Sequence, residues 1–164
     1  MIELVKNTDK VLLTTAKKID VIDDGIIQLA KDMHELMRKY DAIGLAAPQV
    51  GYNLQMFVLN SIGKEVTIIN PEIDSVSSEM FESQEGCLSY PGIYLTIKRP
   101  KSINVSWLDL NGCKKTEQLD DVVAASFLHE FDHCQGVTFV DRSSKLKVSM
   151  AKKKAIKFLK RFAK

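Results

Sequence analysis

The segment His129-Glu130-Phe131-Asp132-His133 sets two imidazoles four residues apart, with a carboxylate beside the first. On a helix, residues at that spacing share a face with Cβ atoms roughly 5–6 Å apart, so both rings can hold one metal ion. Glu130 lies about a quarter-turn round from the first ring, within reach of a water on that ion. Paired ligands with an adjacent base are suited to hydrolysis rather than to metal storage.

A site of this kind needs a third protein ligand. No glutamate follows Glu130, and the extension to His-x-x-Gly-x-x-His fails at Phe139. Both departures count against a metallopeptidase. The remaining histidine, His34, is expected on the solvated side of an N-terminal helix. Cys113 adjoins the Asn111-Gly112 turn, and Cys134 points off the ligand face and suits core packing. Cys87 lies in Glu85-Gly86-Cys87-Leu88-Ser89, where the glycine lets the backbone bend, and it is the strongest candidate. Three cysteines, an odd and low count, argue against a disulfide framework and suit a reducing cytoplasm.

The elements that must position these groups are legible in part. Ile26, Ile27, Ala30, Met33, Leu36 and Met37 recur at helical spacing, which predicts a helix over 23–39 capped by Asp23 or Asp24. A Gly- and Ala-rich loop is expected over 42–51, with Pro48 excluding a long helix. Strands are predicted over 54–59 and 66–69, joined by an Ile62-Gly63-Lys64 turn, with Asn70-Pro71 ending the second. Residues 73–83 read as polar and extended, and 84–92 as a loop. Ile103 to Leu110 and Lys115 to Leu119 form a hairpin about Asn111-Gly112. Asp120 or Asp121 caps a helix carrying both histidines, which Gly136 stops. A last helix covers 145–162. The fold expected is α+β, with mostly antiparallel sheets around the histidine helix and a C-terminal helix.

The 164 residues form one domain, with no internal repeat or linker. The start lacks the apolar core of a signal peptide, and no apolar stretch is long enough to span a bilayer. No membrane association is expected. Net charge is +2, but residues 145–164 carry nine Lys or Arg and no acid, which leaves −7 on residues 1–144. In that tail Leu146, Met150, Ile156, Leu159 and Phe162 alternate with lysines. This predicts an amphipathic helix packed on the domain, its cationic face open to solvent or to RNA phosphates.

Three separated motifs, Ala42-Ile43-Gly44-Leu45-Ala46-Ala47-Pro48-Gln49, Glu85 to Ser89 and His129 to His133, occur in that order. In these the chain resembles the peptide deformylases, and the likeness extends from the first helix through Asp141. The resemblance implies Cys87, His129 and His133 as metal ligands and Glu130 as general base and later proton donor. It implies Gln49 and the Leu88 N–H as the oxyanion site. The implied reaction removes the formyl group from the N-terminal formyl-methionine of newly made proteins. The implied metal is Fe2+, with Zn2+, Ni2+ or Co2+ as alternatives, since thiolate and imidazole suit several. The nascent formyl-Met peptide would be read as an added strand near Ile43, Gly44 and Gly86, its methionine in an apolar pocket. Val122, Ser126 and His129, one turn apart, are placed to form a wall of that pocket. Asp132 is expected to orient a ligand or pair with an arginine, Arg99 being the family match. A cytoplasmic monomer is expected, which the basic tail brings to the ribosome. The alternative is a non-catalytic, metal-stabilised relative that binds peptide N-termini or ribosomes; Glu130 and Gln49 would be superfluous there. Two positions depart from the family pattern: Ala42 replaces a glycine, and Tyr94 stands where many members have an arginine.

Overall fold

Met56, Phe57, Val58 and Leu59 are all buried, with Phe57 and Leu59 facing one way and Met56 and Val58 the other. A strand apolar on both faces needs cover on both. One cover is α1 (Asp24–Lys39), which brings Leu29, Ala30, Met33, Leu36 and Met37 against Met56, Val58 and Ile69. The other is α2 (Asp121–Cys134), which brings Ala124, Phe127 and Leu128 against Phe57, Leu59, Ile68 and Val105. Phe127 meets Phe57 edge to face, with ring centroids 5.1 Å apart.

These residues are drawn from a computed structural model that describes 2–61 and 64–162; Ile62 and Gly63 of the predicted turn lie outside the described residues. The sheet between the helices is antiparallel and five-stranded, in the order β1 (Gly44–Ala46), β2 (Met56–Ser61), β3 (Lys64–Val76), β6 (Ser102–Leu108), β7 (Lys114–Asp120). The strands β4 (Met80–Cys87) and β5 (Tyr90–Pro100) form a separate antiparallel hairpin. It closes over the other side of α2, so the histidine helix is enclosed between two sheets. The α+β expectation with a central histidine helix holds.

The hairpin in turn is backed by α3 (Lys145–Phe162). The predicted tail helix is present, but its packing face differs from the one expected. Val148, Ala151 and Ala155 meet Tyr90, Ile93, Leu95, Ile97 and Phe139, whereas Leu146, Met150 and Ile156 are exposed. Small residues at i, i+3 and i+7 let the helix axis approach the hairpin closely.

Several local expectations are corrected. Residues 84–92 are not a loop: they are the end of β4, the Leu88-Ser89 turn and the start of β5. The 42–51 loop contains β1 and a 3-10 helix, Ala47–Val50, with Pro48 in its first turn. Asn70-Pro71 does not end β3. Asn70 turns to φ 49 at a register shift, and its side chain bonds Ile19 N and Ile19 O, both at 2.8 Å. A proline beside a bulge costs no ladder bond. His34 is not solvated: it is half-buried, 2.9 Å from Thr67 Oγ1 and 3.4 Å from Glu65, and ties α1 to β3. Burial holds its pKa below the ordinary value despite the pull of Glu65.

The predicted stop of α2 has a tertiary reason as well as a local one. Gly136 has φ 70, and a Cβ there would lie 2.9 Å from the backbone carbons of Leu13 and Thr14. The N-terminal segment crosses at this point, where Ala16 N–H donates to Cys134 O at 2.8 Å.

Candidate active site

The Cys87 sulfur, carried at the end of β4, and the His129 and His133 rings, carried one turn apart on α2, are brought together. One donor atom from each lies within 4.8 Å of the others, and Cys87 Sγ is 3.4 Å from His133 Nε2. The hairpin turn delivers the sulfur: the Gly86/Cys87 register shift tips it out of the β4 ladder toward the helix.

The ring orientations are fixed from behind. His129 Nδ1 is 2.9 Å from Glu85 Oε2, which leaves Nε2 as the nitrogen with a free lone pair. Burial disfavours a charged His129, yet the Cys87 sulfur and Glu85 carboxylate outweigh it and draw its pKa up to about 10. At His133 burial prevails, reinforced by His129, and the pKa falls to about 3. The position before His129 therefore attracts positive charge while His133 keeps a lone pair. His133 Nδ1 is buried without a hydrogen-bond partner. A soft sulfur, two imidazoles and a local demand for positive charge suit a divalent transition metal ion.

Glu130 is buried beside this group. Burial pushes its carboxyl up to about 7, and its Oε2 has no hydrogen-bond partner. A carboxyl poised near neutrality can both take and return a proton. Its Oε1 fits against Gly44, where an added Cβ would lie 2.5 Å from Oε1 and 2.8 Å from a Leu59 methyl. Gly44→Ala is expected to displace Glu130 and lower turnover roughly 10- to 100-fold with the fold intact, as steady-state kinetics and circular dichroism would read. Wild-type rates would show that the carboxylate position is not critical.

The predicted Asp132–Arg99 pair is present, within a larger network. Arg99, 4% exposed, donates from Nε and Nη2 to Glu85 at 2.8 and 2.9 Å, and from Nη1 to Asp132 at 2.7 Å. Asp132 also accepts from Arg142 Nη2 at 2.5 Å. Burial would raise the Glu85 pKa, but Arg99 and His129 hold it below its ordinary value. Glu85 and Arg142 were missed as supporting residues. Glu85 had a signal, standing in the same short motif as Cys87, two residues before it. Arg142 had none, since only the chain's return past α2 places it there.

A cleft of about 740 Å³ opens over this centre. Ile43, Gly44, Gln49, Gly86, Leu88, Val122, Ser126 and His129 all line it. Gln49 Nε2 lies 3.3 Å from Cys87 Sγ and 3.2 Å from Ser89 Oγ, while its Oε1 accepts from Ala46 N–H at 2.8 Å. Of the two departures, Ala42 packs toward the α1 cluster and Tyr94 lies on the rim with its ring over Gly86. Cys113 is exposed and Cys134 is buried in the core, both away from the cluster.

The polypeptide deformylase family model matches residues 1–149. The chain belongs to the polypeptide deformylase family. Its relatives include peptide deformylase 1 of Nostoc sp., 45% identical over 139 residues, which cover 82% of this chain and 74% of that protein. The chloroplastic peptide deformylase 1B of rice, Oryza sativa subsp. japonica, is 39% identical over 148 residues, or 87% of this chain. The chain spans 55% of the rice protein's length. The crystal structure of a peptide deformylase from Legionella pneumophila has the same fold. It has a TM-score of 0.91 and 35% identity, and the match covers 100% of this chain and 98% of that one. Peptide deformylases are metal-dependent hydrolases that take the formyl group from N-terminal formyl-methionine. Among the described residues, no helix of this deformylase-family chain is long and apolar enough to cross a membrane.

Proposed function

We propose that this chain, as one domain over residues 1–164, removes the formyl group from the N-terminal formyl-methionine of newly made proteins. The observation that carries this reading is the convergence of Cys87, His129 and His133 beside a buried, half-unpartnered Glu130. Cys87, His129 and His133 would hold a divalent metal ion, Fe2+ being the native one proposed from the family. Such an ion makes water acidic near neutral pH and polarises a carbonyl oxygen.

The chain's own residues supply the rest. Glu130, its carboxyl near neutrality, accepts the water proton at Oε1, the oxygen against Gly44, and later gives it to the leaving amine. Negative charge on the formyl oxygen is met by the Gln49 amide and the Leu88 N–H, each such donor being worth roughly 3 kcal/mol when removed. Glu85 holds the His129 tautomer, and Arg99 holds Glu85. The peptide lies between Gly44 on β1 and Gly86 on β4, both on strand edges open to pairing, with Val122, Ser126 and His129 beside the methionine. A module that only bound peptide ends would have no use for Glu130 in an enclosed site.

The test is formate release from formyl-Met-Ala-Ser by the metal-loaded protein. Release that stops with chelator and returns with Fe2+ or Ni2+ is the expected result; metal bound without formate release would favour the non-catalytic relative.

The tail adds a second contact. Lys153, Lys154 and Lys157 are exposed on α3, and the lysine-rich face suits RNA phosphates on the ribosome. Reversing their charge is expected to remove salt-sensitive ribosome binding in sedimentation assays, with circular dichroism as the check on fold. Binding that survives the reversal would refute the contact.

A further inference from the structure

Tyr90 is a buried polar side chain in the cleft wall that the reaction scheme leaves unused. It opens β5 and stands across from Cys87, the last residue of β4, with only Leu88 and Ser89 between them. The register shift at Gly86/Cys87 interrupts the ladder where the sulfur leaves it. Regular strand pairing therefore does not hold this turn by itself, and other contacts must.

Tyr90 makes two contacts of that kind. Its ring meets Phe139 edge to face, with centroids 5.8 Å apart. Its hydroxyl hydrogen-bonds the Thr138 side chain. Thr138 caps the 3-10 helix Phe139–Arg142, and its N–H and Oγ1–H both donate to Asp141 Oδ2, at 2.8 and 2.7 Å. With the Thr138 proton committed to Asp141, the phenol is the donor and Thr138 Oγ1 the acceptor. Burial holds the phenol above its ordinary pKa although Thr138 opposes it, so the donated proton stays in place at neutral pH.

The far side of this contact is tied to the histidine helix. Phe139, fully buried, lies against the His129 ring, with centroids 5.6 Å apart. Arg142, at the end of the same 3-10 helix, donates from Nε to Asp132 Oδ2 at 3.1 Å, and Asp132 directly precedes His133. Contacts thus run from the sulfur-bearing turn through Tyr90 to Thr138 and Phe139, and back to the segment that carries both imidazoles. A phenylalanine at position 90 would keep the ring contact but not the bond to the cap. An edge-to-face pair tolerates sliding, whereas a hydrogen bond fixes both distance and direction.

Resting on the deformylase reading, we infer that Tyr90 is a positioning residue. Its ring and hydroxyl clamp the 87–90 turn to the 3-10 helix, and so set the Cys87 sulfur against the His129 and His133 rings and the Leu88 N–H against the formyl oxygen.

The test is Tyr90→Phe in the metal-loaded protein. On formyl-Met-Ala-Ser, kcat should fall on the order of tenfold with KM within about twofold, because the displaced groups act on the transition state rather than on peptide binding. Metal should also pass to a chromophoric chelator roughly fivefold faster. Thr138→Val removes the same bond from its other end and should give the same two changes, while Thr138→Ser keeps the hydroxyl and should keep wild-type values. Tyr90→Phe combined with Thr138→Val should be within about twofold of either alone, since one bond is lost in each. Should Tyr90→Phe fold poorly, the two Thr138 variants carry the same comparison. Wild-type kcat and metal release in Tyr90→Phe would overturn the inference and leave the deformylase reading standing. So would a loss confined to KM, losses that multiply in the double variant, or a fallen thermal midpoint with kcat and metal release unchanged, since Tyr90 would then only stabilise the fold. If the wild type released no formate, the deformylase reading would have failed instead. Metal release from the Tyr90 and Thr138 variants then decides the clamp by itself, and rates equal to the wild type's overturn it.

Discussion

Glu130→Gln is expected to lower formate release from formyl-Met-Ala-Ser by on the order of 10²- to 10⁴-fold, with metal content and thermal midpoint retained. Glutamine keeps the volume of the side chain and fits the same space against Gly44. What it loses is the ability to accept and return a proton, the function for which burial has raised the Glu130 pKa to about 7. The three proposed ligand atoms are untouched, so metal analysis of the variant should match the wild type. Full activity in Glu130→Gln would mean that another group moves the proton, and the proposed scheme would be wrong. Loss of metal together with activity would instead mean that the carboxylate helps to hold the ion.

Arg99→Ala is expected to destabilise the protein by about 3–5 kcal/mol, because it strips the cation from buried carboxylates. Glu85 would lose both forked hydrogen bonds, and Asp132 would keep only Arg142. Glu85 is held below its ordinary pKa by Arg99 and His129 although burial works the other way. Its contribution to stability is present above the unfolded-state carboxylate pKa and is lost as pH falls through the folded value. The variant lacks this contribution, so its acid unfolding should begin at higher pH. Metal should also dissociate roughly 10- to 100-fold more readily, since Glu85 no longer fixes the His129 ring. Urea titration, pH-dependent circular dichroism and metal release to a chromophoric chelator read these three effects. An Arg99→Ala midpoint equal to the wild type's would show that the network contributes little. Arg99→Lys separates charge from shape: one ammonium cannot make the fork to Glu85 and also reach Asp132.

How much of this was legible beforehand differs from element to element. The histidine pair, its helix and the Gly136 stop follow from local rules of spacing and chain punctuation. The same holds for α1, whose apolar stripe and Asp23 cap lie within one stretch of chain. Residues 84–92, the closed end of the β4–β5 hairpin, read as a loop because Glu85-Gly86-Cys87-Leu88-Ser89 looks like punctuation. Its strand character comes from pairing with Tyr90–Pro100 and from the helices packed over it. Asn70-Pro71 misled for a related reason: the bulge that accommodates the pair depends on Ile19, 51 residues away in sequence. The exposed apolar residues of α3 misled because a helix offers several candidate faces, and only the hairpin's shape selects Val148, Ala151 and Ala155.

By itself the amino-acid sequence determined which side chains can do chemistry: two imidazoles one turn apart, a carboxylate beside them and a thiol in a glycine turn. It also determined the elements whose patterns are contained within a dozen or so residues. Tertiary structure alone decided that the sulfur meets the rings and that Glu85 and Arg142 join Arg99 and Asp132. The physical reason is range. Helical periodicity and capping act between near neighbours in the chain. Coordination geometry, buried ion pairing and cleft shape act between groups that only the folded packing brings together, such as Cys87 and His133, 46 residues apart.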